Sequence, residues 1–234
     1  MSAGGGDVDL DRVWAGVAAE VWRRRPGPVE RAARWVLRSP GLARALVTTP
    51  SLLLGWVVAS AVVLAVGALV TRGTGTPYVA LCAPGVAAAG IAYAYGPGID
   101  PAWELSCSMA VGDRMVLLVR ALAVFGVNAV LGLAAAAAAG TATAVTFGWL
   151  VPMTAVCALA LAAATLARSA QVGTAAGVAA WVITVLSGQV VAGTPAVAVT
   201  GSALVLPYLA VAAGCAAVVL YTTRVGSSVG RGTS

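Results

Sequence analysis

The stretch FGWLVPMTAVCALALAAATLARSAQVGTAAGVAAWVITVLSGQVVA, residues 147–192, holds two long apolar runs with one short polar break. The first run extends from Phe147 to Ala167 and the second from Val172 to Ala192. About 20 apolar residues are what an α-helix needs to cross ~30 Å of hydrocarbon. A helix that is apolar on every side is unusual in a water-soluble domain. The stretch therefore predicts two membrane-spanning helices joined by a tight turn.

Four further runs of the same kind lie outside this pair. Turn residues bound them, among them Gly96-Pro97-Gly98 and Gly193-Thr194-Pro195. The predicted spans are residues 52–70, 78–95, 115–139, 147–167, 172–192 and 203–221. We therefore predict an all-α fold, a polytopic membrane protein with six transmembrane helices.

The composition limits the classes of function. Hydrophobic residues make up 60% of the chain and charged residues 9%, whereas a soluble domain carries about 25% charged residues. The chain has neither Lys nor His, so it lacks the Lys of a phosphate-binding P-loop and the His of HExxH zinc sites and Ser-His-Asp triads. The four cysteines show no CxxC spacing. We predict no catalytic or metal site, and we expect the chain not to be an enzyme.

The first fifty residues differ in character from the rest. Apolar residues recur at helical spacing in segments 8–25 and 29–38, among acidic and basic residues. Such basic amphipathic helices lie in a membrane interface, or they form a soluble pair that packs on a partner; both interpretations stay open. The predicted organisation is an arm at 1–50, a transmembrane domain at 51–222 and a tail at 223–234.

The distribution of Arg predicts the orientation. All 14 basic residues are Arg, and eight of them precede the first run. If the N-terminus lies in the cytoplasm, only Arg72 among the fourteen is external. The positive-inside rule therefore predicts that both termini are cytoplasmic, in a multi-pass protein of the cytoplasmic membrane. Trp56 would then lie near the inner interface, and Phe147 and Trp149 near the outer one.

The longest loop between the runs, residues 96–114, carries the only acids after residue 30: Asp100, Glu104 and Asp113. Asp100 and the proline that follows it suit the start of a short helix, and Glu104 favours its first turn. Asp113 can cap the third span. The acids are then either caps on an elbow at the membrane, or parts of a docking helix that presents Trp103 and Glu104 to a cytoplasmic partner. Both interpretations stay open.

Few polar side chains lie within the runs. No acid does, which argues against an ion-coupled carrier. Arg120, near the start of the third run, can snorkel to the interface or pair with Asp113 or Glu104. Asn128 and Gln189 can line a path or form hydrogen bonds between helices.

Small residues and prolines suggest how the helices pack. Gly173 and Gly177 form a GxxxG pattern, which is typical of close helix packing within a chain or between subunits. Pro84, Pro152 and Pro207 lie inside predicted spans, and we expect them to kink those spans.

Three stretches resemble a known family: RSPGLARALVTTPSLLLGW at 38–56, GIDPAWELSCSMAVGDRMVLLVRAL at 98–122, and GWLVPMTAVCALALAAATLARSAQVGTAAGVAAWV at 148–182. They are similar to the permease subunits of type-2 ATP-binding-cassette (ABC) exporters of high-GC bacteria. The resemblance covers residues 38–222 and is consistent with six spans. The segment 194–202 departs from the family, because it is too short for the helical re-entrant element that often precedes the last span.

The resemblance implies a function and partners. Two permease copies would pair, as a homodimer or a heterodimer, and each would dock on a separate cytoplasmic P-loop ATPase that binds ATP and Mg²⁺. An elbow at 42–49 and a coupling helix at 100–109 would make the contact. The matching positions are Asp100, Trp103 and Glu104 at the contact, and Asp113, Arg114 and Arg120 at the polar start of the third span. We expect no cofactor on this chain and no nucleic-acid partner.

Two other classes of function stay open. One is a non-transporting membrane regulator or immunity protein, whose basic arm binds a soluble regulator or lipid. The other is a polytopic lipid enzyme that acts through polar residues in the membrane.

Overall fold

The structure is a computed structural model, and it describes residues 9–23, 27, 30–31, 34–35, 38, 50–93 and 113–229. Every regular element in these ranges is a helix. The predicted all-α class is therefore confirmed for the described part of the chain. The chain divides into two compact units, Met1–Val47 and Thr48–Ser234.

The first unit contains helix α1, Leu10–Arg23. Its start is capped, because Asp9 Oδ1 accepts a hydrogen bond from the backbone N–H of Arg12 at 3.1 Å. Trp14 is 72% exposed within the unit. Further along, Arg34 forms an ion pair with Glu30 one helical turn away, at 2.6 Å. Helix α1 thus occupies most of the segment where the apolar spacing predicts the first amphipathic helix.

The second unit is a helical bundle. Its elements are α2 (Pro50–Thr74), α3 (Tyr78–Tyr93), α4 (Asp113–Ala139), α5 (Thr143–Gly148), α6 (Leu150–Ala167), α7 (Ala170–Ala192), α8 (Val197–Thr200), a 3₁₀ turn (Ser202–Leu204) and α9 (Val205–Val229). Five of these helices, α2, α4, α6, α7 and α9, are long and apolar enough to cross a membrane. The second predicted span is the shorter helix α3, which has 16 residues. Its predicted end at residue 95 lies outside the described residues.

Helices α3 and α6 are central in the bundle. Helix α3 contacts α2, α4, α6 and α7, and α6 contacts α3, α7 and α9. Val79, Ala87 and Ala88 of α3 are completely buried. Their small side chains let four helices approach α3 closely, which explains why this helix is apolar around its whole circumference.

The residues at which α6 and α9 begin differ from two of the expectations. Helix α6 begins at Leu150, because Phe147 and Gly148 belong to the separate helix α5. Pro152 and Pro207 are the third residues of α6 and α9. The N–H groups of a first turn have no helical partner, so a proline there breaks no hydrogen bond. The two prolines thus lie at helix starts and not in helix interiors, whereas Pro84 lies in a helix interior; the kinks stay predictions.

Two short helices, α5 and α8, meet at one end of the bundle. They contact each other, and both contact α3. Ala198 and Val199 of α8 are buried, and Tyr208 at the start of α9 donates a hydrogen bond to the carbonyl oxygen of Ala198 at 2.8 Å. The segment 194–202, predicted to be too short for the re-entrant element of the resembled family, contains the four-residue helix α8. Helix α8 is held by the hydrogen bond from Tyr208 of α9 and by its contact with α5.

Candidate functional site

The predicted docking residues Asp100, Trp103 and Glu104 lie outside the described residues, in the interval 94–112. The helices on both sides of this interval are described, since α3 ends at Tyr93 and α4 begins at Asp113. These two helices pack against each other. The interval therefore joins two helices that pack against each other, and one of them, α3, is central in the bundle.

Three predicted residues lie in the first part of α4. Asp113 and Arg114 begin this helix, and their side chains are outside the described part. Arg120 lies further along and is half-buried. Its side chain or backbone has an interaction partner. The pairing of Arg120 with Asp113 or Glu104 stays a prediction.

Asn128 is almost completely buried, at 1% exposure, on the face of α4 that packs against other helices. Its Nδ2 donates a hydrogen bond to the carbonyl oxygen of Val124 at 3.0 Å, within the same helix. Its Oδ1 has no partner among the described residues. The structure therefore gives Asn128 a bond within its own helix, not one between helices. A buried acceptor without a partner costs about 1–3 kcal/mol.

Gln189 is exposed near the end of α7. Its Nε2 donates a hydrogen bond to the carbonyl oxygen of Gly193 at 3.3 Å. Gly193 ends the helix in a left-handed conformation, with φ 68°, where glycine is favoured because it has no Cβ. The contact of Gln189 is thus local to the end of its own helix. Among the described residues Gln189 forms no hydrogen bond to another helix, and its role in lining a path stays a prediction.

Gly173 and Gly177 lie where α7 packs against α6 and α3. A Cβ atom on Gly173 would lie 2.6 Å from the carbonyl oxygen of Ala160. A Cβ atom on Gly177 would lie 2.8 Å from the Cβ of Ala160 and 3.0 Å from the Cβ of Ala88. These distances are shorter than real Cβ contacts, so any side chain would separate the helices. The GxxxG pattern therefore joins α7 to its neighbours within the chain.

Two further contacts of this kind place a tryptophan ring over a glycine of a neighbouring helix. A Cβ on Gly132 of α4 would lie 2.5 Å from the ring of Trp149, and a Cβ on Gly90 of α3 would lie 2.4 Å from the ring of Trp56. Trp149 is completely buried, so its ring packs within the bundle, and its position near the outer interface stays a prediction. The indole N–H groups of both rings are buried without a partner among the described residues. Sequence analysis missed these pairs, because a glycine in one run does not reveal which ring it faces.

A third tryptophan connects α7 to α3. The ring of Trp181 lies against Gly85, where a Cβ would come within 3.2 Å of it. Its Nε1 donates a buried hydrogen bond to the carbonyl oxygen of Leu81 at 2.7 Å. The same stretch of α3 contains Pro84, whose ring removes one N–H group from the helix.

The described residues contain no group of three or more His, Cys, Asp or Glu side chains that could hold a metal ion. The described cysteines, Cys82, Cys157 and Cys215, are free thiols. The described part of the bundle shows close packing between helices and single hydrogen bonds.

No known protein family, curated protein or solved structure matches this chain.

Proposed function

We propose that this chain is the membrane-spanning permease subunit of an ABC exporter in the cytoplasmic membrane. In this proposal both termini face the cytoplasm, and a second permease copy completes the transporter. A separate P-loop ATPase binds ATP and Mg²⁺ and docks on the loop at residues 96–114. The five long apolar helices support the membrane part of the proposal.

The observation that carries the proposal is the position of the two helices that flank this loop. Helix α3 leads into the loop and α4 leads out of it. Helix α3 also contacts α2, α6 and α7. A force applied to the loop would therefore reach most of the bundle through one closely packed helix. Shifts of packed helices are a common means of switching between two states, provided that the partner binds one state better than the other.

The distribution of acids supports an external source of energy. Asp113 is the only acid among the described residues of the bundle, 50–93 and 113–229. Ion-coupled carriers and proton relays usually use acidic or His side chains inside the membrane. ATP hydrolysis by a partner would supply the energy without any such residue.

The test is a charge reversal in the loop, Glu104→Arg, in the full-length chain. Purification in mild detergent with the wild-type protein should recover a P-loop ATPase without membrane spans of its own. We expect Glu104→Arg to weaken this complex about tenfold, because one charge-assisted contact is replaced by repulsion. The matched control is Asp11→Arg, which makes the same charge change at an exposed position of α1. We expect this control to retain the ATPase.

The proposal fails if the wild-type protein recovers no ATPase, or if Glu104→Arg retains it while elution and thermal stability stay normal. A second candidate function would then gain support from α1. Val13 and Trp14 are exposed within their unit and give α1 an apolar surface for a regulator or a lipid. A non-transporting regulator or immunity protein would lose its partner on deletion of residues 1–40, and it would retain no ATPase in any form.

A further inference from the structure

A groove lies between α2 and α4, near the end of α2. Its volume is about 390 Å³, and eight of its nine lining residues are Ala or Leu. The alanines, among them Ala61, Ala65 and Ala135, leave the space that larger side chains would fill. Ala65 and Leu69 are exposed, so the groove opens onto the outer surface of two helices that are apolar enough to span a membrane. The natural occupant of such a groove is hydrocarbon.

The ninth lining residue is Arg72, in the last turn of α2. Its Nε donates a hydrogen bond to the carbonyl oxygen of Ala138 at 2.8 Å, and its Nη2 donates to the same oxygen. Ala138 lies in the last turn of α4, where carbonyl groups have no helical partner. The guanidinium is thereby held at the end of the groove, while its Nη1 donates to no described residue.

The charge of Arg72 has no counter-charge in the described part of the bundle. The only acid there is Asp113, at the opposite end of the helix that Arg72 contacts. Asp113 and Ala138 are 25 residues apart in α4, which corresponds to about 38 Å along a helix. This is several Debye lengths at physiological salt, where one Debye length is about 8 Å. The described residues of these helices thus supply no charged partner for this guanidinium, which is exposed and can bind an anion from outside them.

We propose that the groove binds one anionic phospholipid, with an acyl chain along the alanine-lined surface and the headgroup phosphate on Arg72. Arg binds phosphate through paired N–H groups and is more weakly hydrated than Lys, so it suits this position near the membrane surface. Leu69 and Arg72 are three residues apart and share one face of α2. The apolar surface thus leads directly to the cation, in the same order as chain and phosphate in a phospholipid.

This site is distinct from the proposed ATPase-docking loop, because Arg72 and that loop lie at opposite ends of α4. It requires neither a transported substrate nor an ATPase. The lipid would hold α2 against α4 at the end where α3 begins. The proposal can therefore be tested separately from the transport function.

The experiment measures lipid retained by the full-length protein. The protein is incorporated in nanodiscs of equal parts phosphatidylglycerol and phosphatidylcholine, extracted in mild detergent, and examined by native mass spectrometry. We expect the wild type to retain one phosphatidylglycerol in preference to phosphatidylcholine. We expect Arg72→Gln to lower this retention about tenfold, through loss of charge-assisted hydrogen bonds. The matched control is Arg168→Gln, which removes an exposed Arg at the end of α6 and should leave retention unchanged.

A second variant tests the acyl chain without changing the charge. Ala65→Phe fills the groove and leaves Arg72 in place, and we expect it to lower phosphatidylglycerol retention as well. The proposal is overturned if the wild type retains both lipids equally, if Arg72→Gln behaves as the wild type, or if Ala65→Phe retains lipid normally. It is also overturned if Arg72→Gln or Ala65→Phe converts a stable dimer to monomer without affecting lipid, because a second copy of the chain would then be the occupant. If Arg72→Gln does not fold, Ala65→Phe alone decides the outcome.

Discussion

Helices α6 and α9 are both strongly apolar, yet they occupy different environments. Half of the residues in the apolar segment of α6 are buried within the bundle, whereas only 6% of those in the apolar segment of α9 are buried. Helix α6 contacts α3, α7 and α9, whereas α9 contacts chiefly α6. Apolar character therefore indicates that a segment belongs in a membrane. It does not indicate whether its neighbours are protein or lipid, because both are apolar.

The difference between the two helices lies in where small residues meet. Ala160 and Ala164 of α6 face Gly173 of α7 so closely that no Cβ fits between them. Helix α9 also contains a glycine, Gly214, but a Cβ there would have no neighbour within 4 Å. A glycine in a membrane helix is thus an interface residue only where a neighbouring segment presents a group that fills the space beside it, either a small residue or a tryptophan ring.

The largest expected effect comes from truncating Trp149, the buried ring just before α6. Trp149→Ala should lower the free energy of unfolding by about 3–5 kcal/mol, because it leaves a cavity over Gly132. Thermal unfolding in detergent measures this change. The control on α9 is Tyr221→Ala, which removes a ring that is 70% exposed and should have little effect. Trp149→Phe keeps most of the ring and removes an unpaired N–H, so its loss should be much smaller. Equal losses in Trp149→Ala and Tyr221→Ala would remove the contrast between the two helices.

A smaller effect is expected from adding a side chain at a glycine. Gly177→Leu places atoms where Ala160 and Ala88 already lie, and overpacking of this kind costs about 1–3 kcal/mol. Gly214→Leu on α9 should cost little or nothing, because its Cβ meets open space. The same unfolding assay compares the two. If Gly177→Leu is as stable as Gly214→Leu, the close contact of α7 with α6 and α3 is refuted.

The smallest effect is expected from deleting single hydrogen bonds. Trp181→Phe removes the buried donor to the carbonyl oxygen of Leu81, and interhelical bonds in membrane proteins contribute about 1 kcal/mol. Tyr208→Phe removes the corresponding bond from α9 to Ala198. Tyr208 is only partly buried, so its loss should be smaller. A larger loss for Tyr208→Phe would mean that α9 is held by the turn at α8 more than by its contact with α6.

Much of the fold could be predicted because helix formation in a membrane depends on local sequence. Helix α7 begins at Ala170 and ends at Ala192, against a prediction of 172–192. The prediction for α6 began at Phe147, because an apolar run gives no signal where two helices meet end to end, as α5 and α6 do at Trp149.

The candidate site was less predictable. Gly173 and Gly177 were recognised from their spacing, but not the helices that they contact. Gln189 was taken as a path or interhelical residue because it is polar inside an apolar run, yet it bonds near the end of its own helix. The roles of Asp100, Trp103 and Glu104 stay predictions.

By itself, the sequence determined that the chain is helical and has several helices suited to a membrane, because long apolar runs bounded by Gly, Pro and Arg leave few alternatives in a bilayer. Tertiary structure alone decided which faces meet. It placed Trp149 over Gly132, packed α3 against four long helices, left α9 exposed, and brought Arg72 to the end of α4 across 66 positions of sequence. The physical reason is that lipid and protein are equally apolar. The choice between them depends on the fit of surfaces, and that fit is a property of pairs of helices.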